Sequence, residues 1–438
     1  MEQKNDKKVI RSWAFFDWAN SAYNLVITST IFPAYYTIIT SDKDNNTIDY
    51  VTFMGMRFIN SALYNYALAF AFLVIALLSP VLSSIADTRG NKKLFMQIFT
   101  YIGGFSCCAL YFFEIETLQL SVVLFVLAAI GYWGSLVFYN AYLPEIATPE
   151  RQDGVSAKGY AFGYVGSIIL QLICFVFVFF PAAFGLSGGA QASRLSFLLV
   201  GIWWMVFAQI PFRNLPKGSP DLLKAKSSWL TGGFSELKKV WQQLKYMPYL
   251  KRFLTAFFFY SMGVQTVMLI ATIFGEKQLH LPTEKLIATI LLLQLVAIPG
   301  AMLMSWLSRR YFGNVKVLMG VVVIWIGCCA AAYFITTEMQ FYYLAATVGL
   351  IMGGIQSLSR STYSKFLPQE SPDHTSFFSF YDVTEKVALV IGMFSFAYIE
   401  EFTGSMQNSL IALAAFFVLG LVFLFLLKKV EPAVLLQA

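Results

Sequence analysis

Charge is scarce in this sequence. Only 13% of its 438 residues are charged, while 58% are hydrophobic; an ordinary soluble domain carries about 25% charged residues. One soluble core cannot hide so much apolar surface, whereas lipid can solvate it. Histidine is scarcer still. His280 and His374 lie far apart in polar connections, and with no H-E-x-x-H or His/Cys cluster no metal site is expected. The five cysteines (Cys107, Cys108, Cys174, Cys328 and Cys329) all sit in apolar runs without a C-x-x-C pair. They suit small buried hydrophobes better than a disulfide framework. A hydrolase elbow, a P-loop and a dinucleotide fingerprint are also missing. The chain therefore reads as neither an enzyme nor a self-contained ATP-driven pump, and no cofactor is expected.

What the sequence has in abundance is apolar runs of about 20 residues, the length that crosses the hydrocarbon core as a helix. They fall at 13–39, 63–86, 94–113, 119–142, 159–181 and 194–212. After a break they resume at 252–274, 285–308, 315–336, 340–360, 377–398 and 407–428. The first follows Lys4, Lys7, Lys8 and Arg11, as a signal peptide would, but it is too long and holds Asp17, so a retained first helix is expected. With a cytoplasmic N terminus, 25 of the 31 Lys and Arg residues fall on the cytoplasmic side, as the positive-inside rule requires. The formal charge of +7 thus reflects topology in an inner membrane, with both termini cytoplasmic, rather than a nucleic-acid partner. The expected organisation is a six-helix half at 1–212, a basic cytoplasmic linker at 213–251 and a second six-helix half at 252–438. Within the linker, Phe234–Trp241 reads as a short amphipathic stretch lying on the membrane surface.

The halves resemble each other. Arg89-Gly90-Asn91-Lys92-Lys93 follows the second helix and Phe312-Gly313-Asn314-Val315-Lys316 the eighth. Cys107-Cys108 in the third is matched by Cys328-Cys329 in the ninth, and Leu143-Pro144-Glu145 by Leu367-Pro368-Gln369. Two parallel repeats of this kind build major facilitator transporters. The loop Ser83–Lys93 is similar to that superfamily's loop signature at Asp87, Gly90 and Lys92, and departs from it at Ser83, Thr88 and Asn91. Gly90 suits a sharp turn, and Asp87 can accept bonds from a nearby helix start. The resemblance implies that this loop braces a gate.

The first helix carries Asp17, Asn20, Ser21, Asn24 and Thr28 at i, i+3, i+4, i+7 and i+11, a single polar stripe. Against lipid it would be costly, so it should face protein or a water-filled cavity. It is read as substrate recognition by Asn20, Ser21, Tyr23 and Asn24, with Asp17 as a charge or proton site. The alternatives are interhelical glue and, for Asp17, a structural bond to Arg11 or a loop. In the eleventh helix Asp382 and Lys386 are spaced to pair at i, i+4, with Glu385 beside them. These three are candidates for coupling or for steadying the gate. Arg360 stands among Ser357, Ser359 and Ser361, suited to an anionic group or to fixing topology. Gln171, Gln265, Gln294 and Gln356 suit interhelical bonding; Gln356 is also placed with Arg360 in the candidate substrate set.

Trp13-Ala-Phe-Phe-Asp17-Trp18-Ala-Asn20-Ser21-Ala-Tyr23 with Ile31-Phe32-Pro33 resembles the opening of the vacuole effluxer (autophagy-related amino-acid effluxer-like) family of the major facilitator superfamily. Leu143-Pro144-Glu145, Val155–Tyr164, Gly353–Ser361 and Phe377–Asp382 with Lys386 continue the likeness in order. Glu385 adds a charge where similar sequences commonly have a small residue. The resemblance implies an all-α membrane protein of major facilitator fold and, for fungal relatives, vacuolar amino-acid export. The expected function is secondary active export of a small polar solute, amino acids first, by a monomer in the lipid bilayer, with protons as one coupling source. Drug or metabolite efflux without amino-acid preference, and a non-transporting receptor on the same fold, are the alternatives.

Overall fold

The computed structural model describes residues 4–41, 49–217, 238–368 and 373–428. Twelve long helical segments run along them. The first, α1, comprises the helix Lys7–Tyr23, a wide π-type turn Asn24–Thr30 and the helix Ile31–Thr40. Then come α2 (Asn60–Arg89), α3 (Lys92–Ala109), α4 (Leu118–Asn140), α5 (Pro149–Phe179) and α6 (Gly189–Asn214). The second half holds α7 (Pro248–Leu279), α8 (Thr283–Leu307), α9 (Asn314–Tyr333), α10 (Glu338–Phe366), α11 (His374–Thr403) and α12 (Met406–Lys428). Local chemistry sets their ends. Asp6 caps α1, its carboxylate accepting from the backbone N–H of Lys8 and Val9. Thr337 and Gln340 form a reciprocal capping box on α10. Gly90 closes α2 at φ 63°, a left-handed conformation that glycine adopts without steric cost.

Ten of these segments are long and apolar enough to cross a membrane on length and composition. The two outside that set are α1, which its π turn divides, and α11, which carries Asp382, Glu385 and Lys386. They are also the two segments richest in candidate site residues.

Two differences from expectation stand out. α5 begins at Pro149 rather than near residue 159, because Pro149 starts the helix and the polar run Glu150–Lys158 is helical although too hydrophilic to read as a span. Tyr50–Phe53 and Met56–Ile59 form an antiparallel hairpin, Tyr50 opposite Ile59. Its two-residue turn has Met54 at φ 49° and Gly55 at φ 78°, the positive values that tight hairpin turns require.

Buried apolar side chains gather into two cores. One is built almost wholly from residues before 216 and the other from residues after 239, with Leu389 crossing one way and Ala141 and Tyr164 the other. Of the expected linker, residues 218–237 lie outside the described residues, including the first half of the expected amphipathic stretch Phe234–Trp241. Residues 238–243 are helical, with Val240 and Leu244 buried in the second core. The remaining apolar surface faces outward: Phe70, Leu77, Phe105, Val206, Phe394 and Phe425 are all about half exposed or more, as side chains solvated by lipid are.

The N-terminal residues, the start of the linker and the α2–α3 and α4–α5 connections share one end of the bundle, hereafter the termini end. Asn5 Nδ2 donates to Thr148 Oγ1, Lys93 Nζ to the Leu215 carbonyl and Tyr142 Oη to the Pro216 carbonyl.

Candidate functional site

A cavity of about 170 Å³ lies between the two halves. α1 gives it Asp17, Ser21, Asn24 and Thr28, and α4 and α5 give it Tyr132, Trp133, Asn140, Tyr160 and Tyr164. Gln265 of α7, Gln294 of α8, Gln356 and Arg360 of α10, and Tyr381, Asp382 and Glu385 of α11 face them. The spacing of four, three and four residues holds the α1 side chains on one face. An almost wholly apolar cavity of about 70 Å³ inside the second half, walled by Trp325, Cys328 and Cys329, offers a solute little to bond with.

The predicted stripe therefore divides. Ser21, Asn24 and Thr28 reach the cavity with Asp17, whereas Asn20 and Tyr23 are fully buried away from it. Tyr23 packs on Tyr132 and Trp204, and the Asn20 oxygen accepts from Ser21 Oγ at 3.4 Å. Direct substrate contact by Asn20 and Tyr23 does not fit this placement. Asn20, at i+3 from Asp17, is turned toward the interior of the first half, while i+4 and i+7 stay in line with the cavity.

At the termini side of the cavity the halves are joined by charge. Arg360, 2% exposed, spans the boundary. Its Nε and Nη2 donate to Ser156 Oγ and to the Ser156 carbonyl, both at 2.9 Å. Its Nη1 donates to Asn140 Oδ1 at 3.1 Å and to Asp17 Oδ2 at 3.4 Å. The guanidinium also lies over the rings of Tyr160, at 4.3 Å, and Trp13, at 4.8 Å, where a cation is attracted to the π face. The same Asp17 oxygen accepts from Tyr139 Oη at 2.7 Å. Tyr139 is itself held by Trp13, which stacks on it and donates to its carbonyl. Asp17 is thus bonded to Arg360 of the opposite half, not to Arg11, whose guanidinium lies 5.9 Å from the Phe15 ring. A methyl group at Gly159 would stand 2.7 Å from Asp17 Oδ2 and 2.9 Å from Arg360 Nη2, so glycine there leaves room for the clasp.

Beyond Arg360, α5 is fastened again. Asp153 accepts from Asn314 Nδ2 at 2.7 Å and from Lys365 Nζ at 2.6 Å. Ser156 Oγ donates to the Ser357 carbonyl at 2.8 Å. Across the molecule, Asp87 accepts from the backbone N–H of Thr375 and Ser376 and from Ser376 Oγ, at 3.1, 2.7 and 2.7 Å. The helix start that the loop carboxylate was expected to reach is that of α11. Gly90 makes the turn after it. Lys92 is buried, ion-paired with Glu145 and set 4.3 Å over the Tyr142 ring; Glu145 in turn lies 3.5 Å from His374 Nδ1. Ser379 Oγ bonds Ser79 Oγ at 3.1 Å.

On α11, Lys386 Nζ lies 3.3 Å from Asp382 Oδ1 and 3.4 Å from Glu385 Oε2, with the Trp133 ring 3.5 Å away. Gln265 Nε2 donates to Glu385 Oε1 at 2.7 Å. The expected i, i+4 pair is present. Gln356 accepts from Tyr164 Oη and Gln294 from Ser167 Oγ, so neutral bonds join the halves at cavity level. Sequence reasoning missed Tyr139, Asn140, Asp153, Ser156, Asn314 and Lys365 as parts of the site. Ser156 lay within a quoted motif, and Tyr139-Asn140 ends an apolar run, but only packing against the other half gives them a role.

Residues 5–432 match the model of the family described as vacuole effluxer Atg22 like. The uncharacterized MFS-type transporter YxiO of Bacillus subtilis is 30% identical over 422 residues, covering 96% of this chain and 95% of that protein. Autophagy-related protein 22 of Kluyveromyces lactis is 24% identical over 405 residues, 84% of this chain and 80% of its own. Among solved structures, the major facilitator transporter FucP in its outward conformation aligns with a TM-score of 0.70 at 14% identity, over 96% of this chain and 98% of that one. A bacterial ferroportin homologue in its outward-facing state aligns at 0.68 with 13% identity, over 96% and 98%. The fold is that of the major facilitator superfamily, and the chain belongs to the vacuole effluxer Atg22-like family, a family of multi-pass membrane transporters rather than enzymes.

Proposed function

We propose that the protein exports a small polar solute, amino acids first, by alternating access across an inner membrane, working as a monomer with both termini in the cytoplasm. The observation that carries this reading is the cavity walled by both halves, polar on each side and clasped at the termini end by Arg360. A rocking motion that opened the clasp would expose the same walls to the other side. The placement of 25 of 31 cations supports a cytoplasmic termini end. The conformation described here is then the one closed to the cytoplasm. Asp17 and the α11 carboxylates are the candidate proton sites, and Asp87, Gly90 and Lys92 brace the gate. Drug-sized ligands occupy pockets of roughly 300–1,000 Å³, so a cavity of about 170 Å³ favours a smaller solute over drug efflux.

Flux into proteoliposomes under an imposed proton gradient tests the reading. Amino-acid counterflow is expected, and binding without translocation would support a receptor instead. Asn24→Leu separates recognition from packing. It should weaken solute affinity by roughly 5- to 150-fold, the effect of about 1–3 kcal/mol for an unpaired group, with protein yield unchanged. Asn20→Leu should lower stability and leave the affinity of the surviving protein alone.

A further inference from the structure

We infer that α11 presents an ammonium-binding site, so that the transported solute carries a protonated amine whose nitrogen docks at Glu385, with Asp382 beside it on the cavity wall. The inference rests on the transport reading for its biological meaning, but the site itself is argued from geometry alone. Beside the main cavity lies a recess of about 20 Å³, room for one water-sized group, which needs about 10–15 Å³. The two share Tyr160, Gln265, Gln356, Tyr381 and Glu385 as common wall. Phe257, Tyr260, Ser261, Val264, Ile355 and Ser359 complete the recess wall, with the Phe257 ring stacked on that of Tyr381 at 4.2 Å. A small chamber with aromatic side chains, polar groups and one carboxylate suits an ammonium group, which donates a charge-assisted hydrogen bond to the carboxylate.

Asp382 provides an independent observation. It lines the main cavity, is 6% exposed, and its Oδ2 is buried without a hydrogen-bond partner. A buried carboxylate oxygen left unbonded is costly, and a donor entering from the cavity would relieve it. Glu385 also has capacity to spare: Gln265 and Lys386 occupy part of a carboxylate that offers about four acceptor sites.

Charge balance points the same way. Asp17 and Arg360 neutralise each other, while Asp382 and Glu385 share the single cation Lys386. With all three carboxylates ionised, the five groups sum to one net negative charge. Among the described residues, the one cation on the cavity wall, Arg360, already donates to Asp17, Asn140 and Ser156. A solute carboxylate finds no uncommitted cation there, whereas an ammonium finds an excess of carboxylate.

Calorimetric titration of the full-length protein in lipid nanodiscs tests this. The probes are L-alanine and L-leucine, each with its decarboxylated amine and its deaminated acid. In each series that binds, the amine should retain binding and the acid should lose it. Glu385→Gln, which keeps the side-chain shape and the bond to Gln265, should weaken every amine-bearing probe by about 10- to 100-fold, as loss of a hydrogen bond to a charged group does. Acids binding as tightly as their amines, or no amine-bearing probe binding at all, would overturn the site; the wild-type panel decides even if the variant fails to fold. Amines that bind as expected yet are never translocated into proteoliposomes would sink the transport reading and leave the ammonium site standing. Transport of solutes lacking an amine would do the reverse.

Discussion

The two seams between the halves occupy equivalent places in the repeat and are fastened by opposite means. Along α2 and α11, the carboxylate of Asp87 is received by backbone N–H groups at the start of a helix. Along α5, the start of α9 and α10, the carboxylate of Asp153 accepts from the side chains of Asn314 and Lys365, and Arg360 adds a second fastening. The repeated Gly-Asn turn explains the inversion. After α2 the turn follows the acid itself, so the loop supplies the acceptor. After α8 it delivers Asn314, a donor, and the acid has to come from α5. A helix start offers partial charge within its first turn, whereas Arg and Lys bring whole charges. The α5 seam should accordingly be the stronger of the two.

Arg360→Gln should have the largest effect, because it strands the Asp17 carboxylate in a buried site; losing one partner of a buried pair costs about 3–5 kcal/mol. Thermal unfolding in detergent should show a clear drop, partly restored in Asp17→Asn/Arg360→Gln. A melting curve unchanged by Arg360→Gln would erase the asymmetry. Asp153→Asn comes next, at about 1.5–3 kcal/mol for hydrogen bonds to a charged group, and should raise the labelling of cysteines placed at the termini end of α5. Asp87→Asn should cost about 1–2 kcal/mol, since its partners are a helix start and one hydroxyl. Transport should fall while abundance stays near normal, and a loss of stability as large as that of Arg360→Gln would break the comparison. Ser379→Ala removes one neutral bond to Ser79 and should shift the melt by the equivalent of about 0.5–1.5 kcal/mol.

The fold was readable because lipid imposes a length: each segment needs about 20 apolar residues, and the apolar runs were there to be counted. The start of α5 was hidden because a helix that packs on protein beyond the hydrocarbon core need not be apolar, and Glu150–Lys158 is not. Within the site, helical periodicity brought Asp17, Ser21 and Asn24 to one face but could not say that Asn20, one position earlier than Ser21, turns inward. It also showed that Asp87 suits a helix start without saying which. The partner of Asp17 was beyond reach, since no local pattern links α1 to α10; the Tyr139–Asn140 and Ser156 contacts that complete the clasp are equally non-local.

The clasp also sets a schedule for synthesis. Asp17 and Arg360 are separated by 343 positions along the chain, and at about 5–20 residues per second the ribosome needs roughly 20–70 s to travel between them. Through that interval the nascent first half holds an acidic side chain whose countercharge has not yet been made, with Tyr139 of α4 arriving first to receive it. Lys386 emerges only four positions after Asp382, so α11 enters the membrane with a countercharge for that carboxylate already on board. The first half thus completes its charge pairing only once α10 has been made, so the six-helix half made alone should be a poorer folding unit than its hydrophobic core suggests.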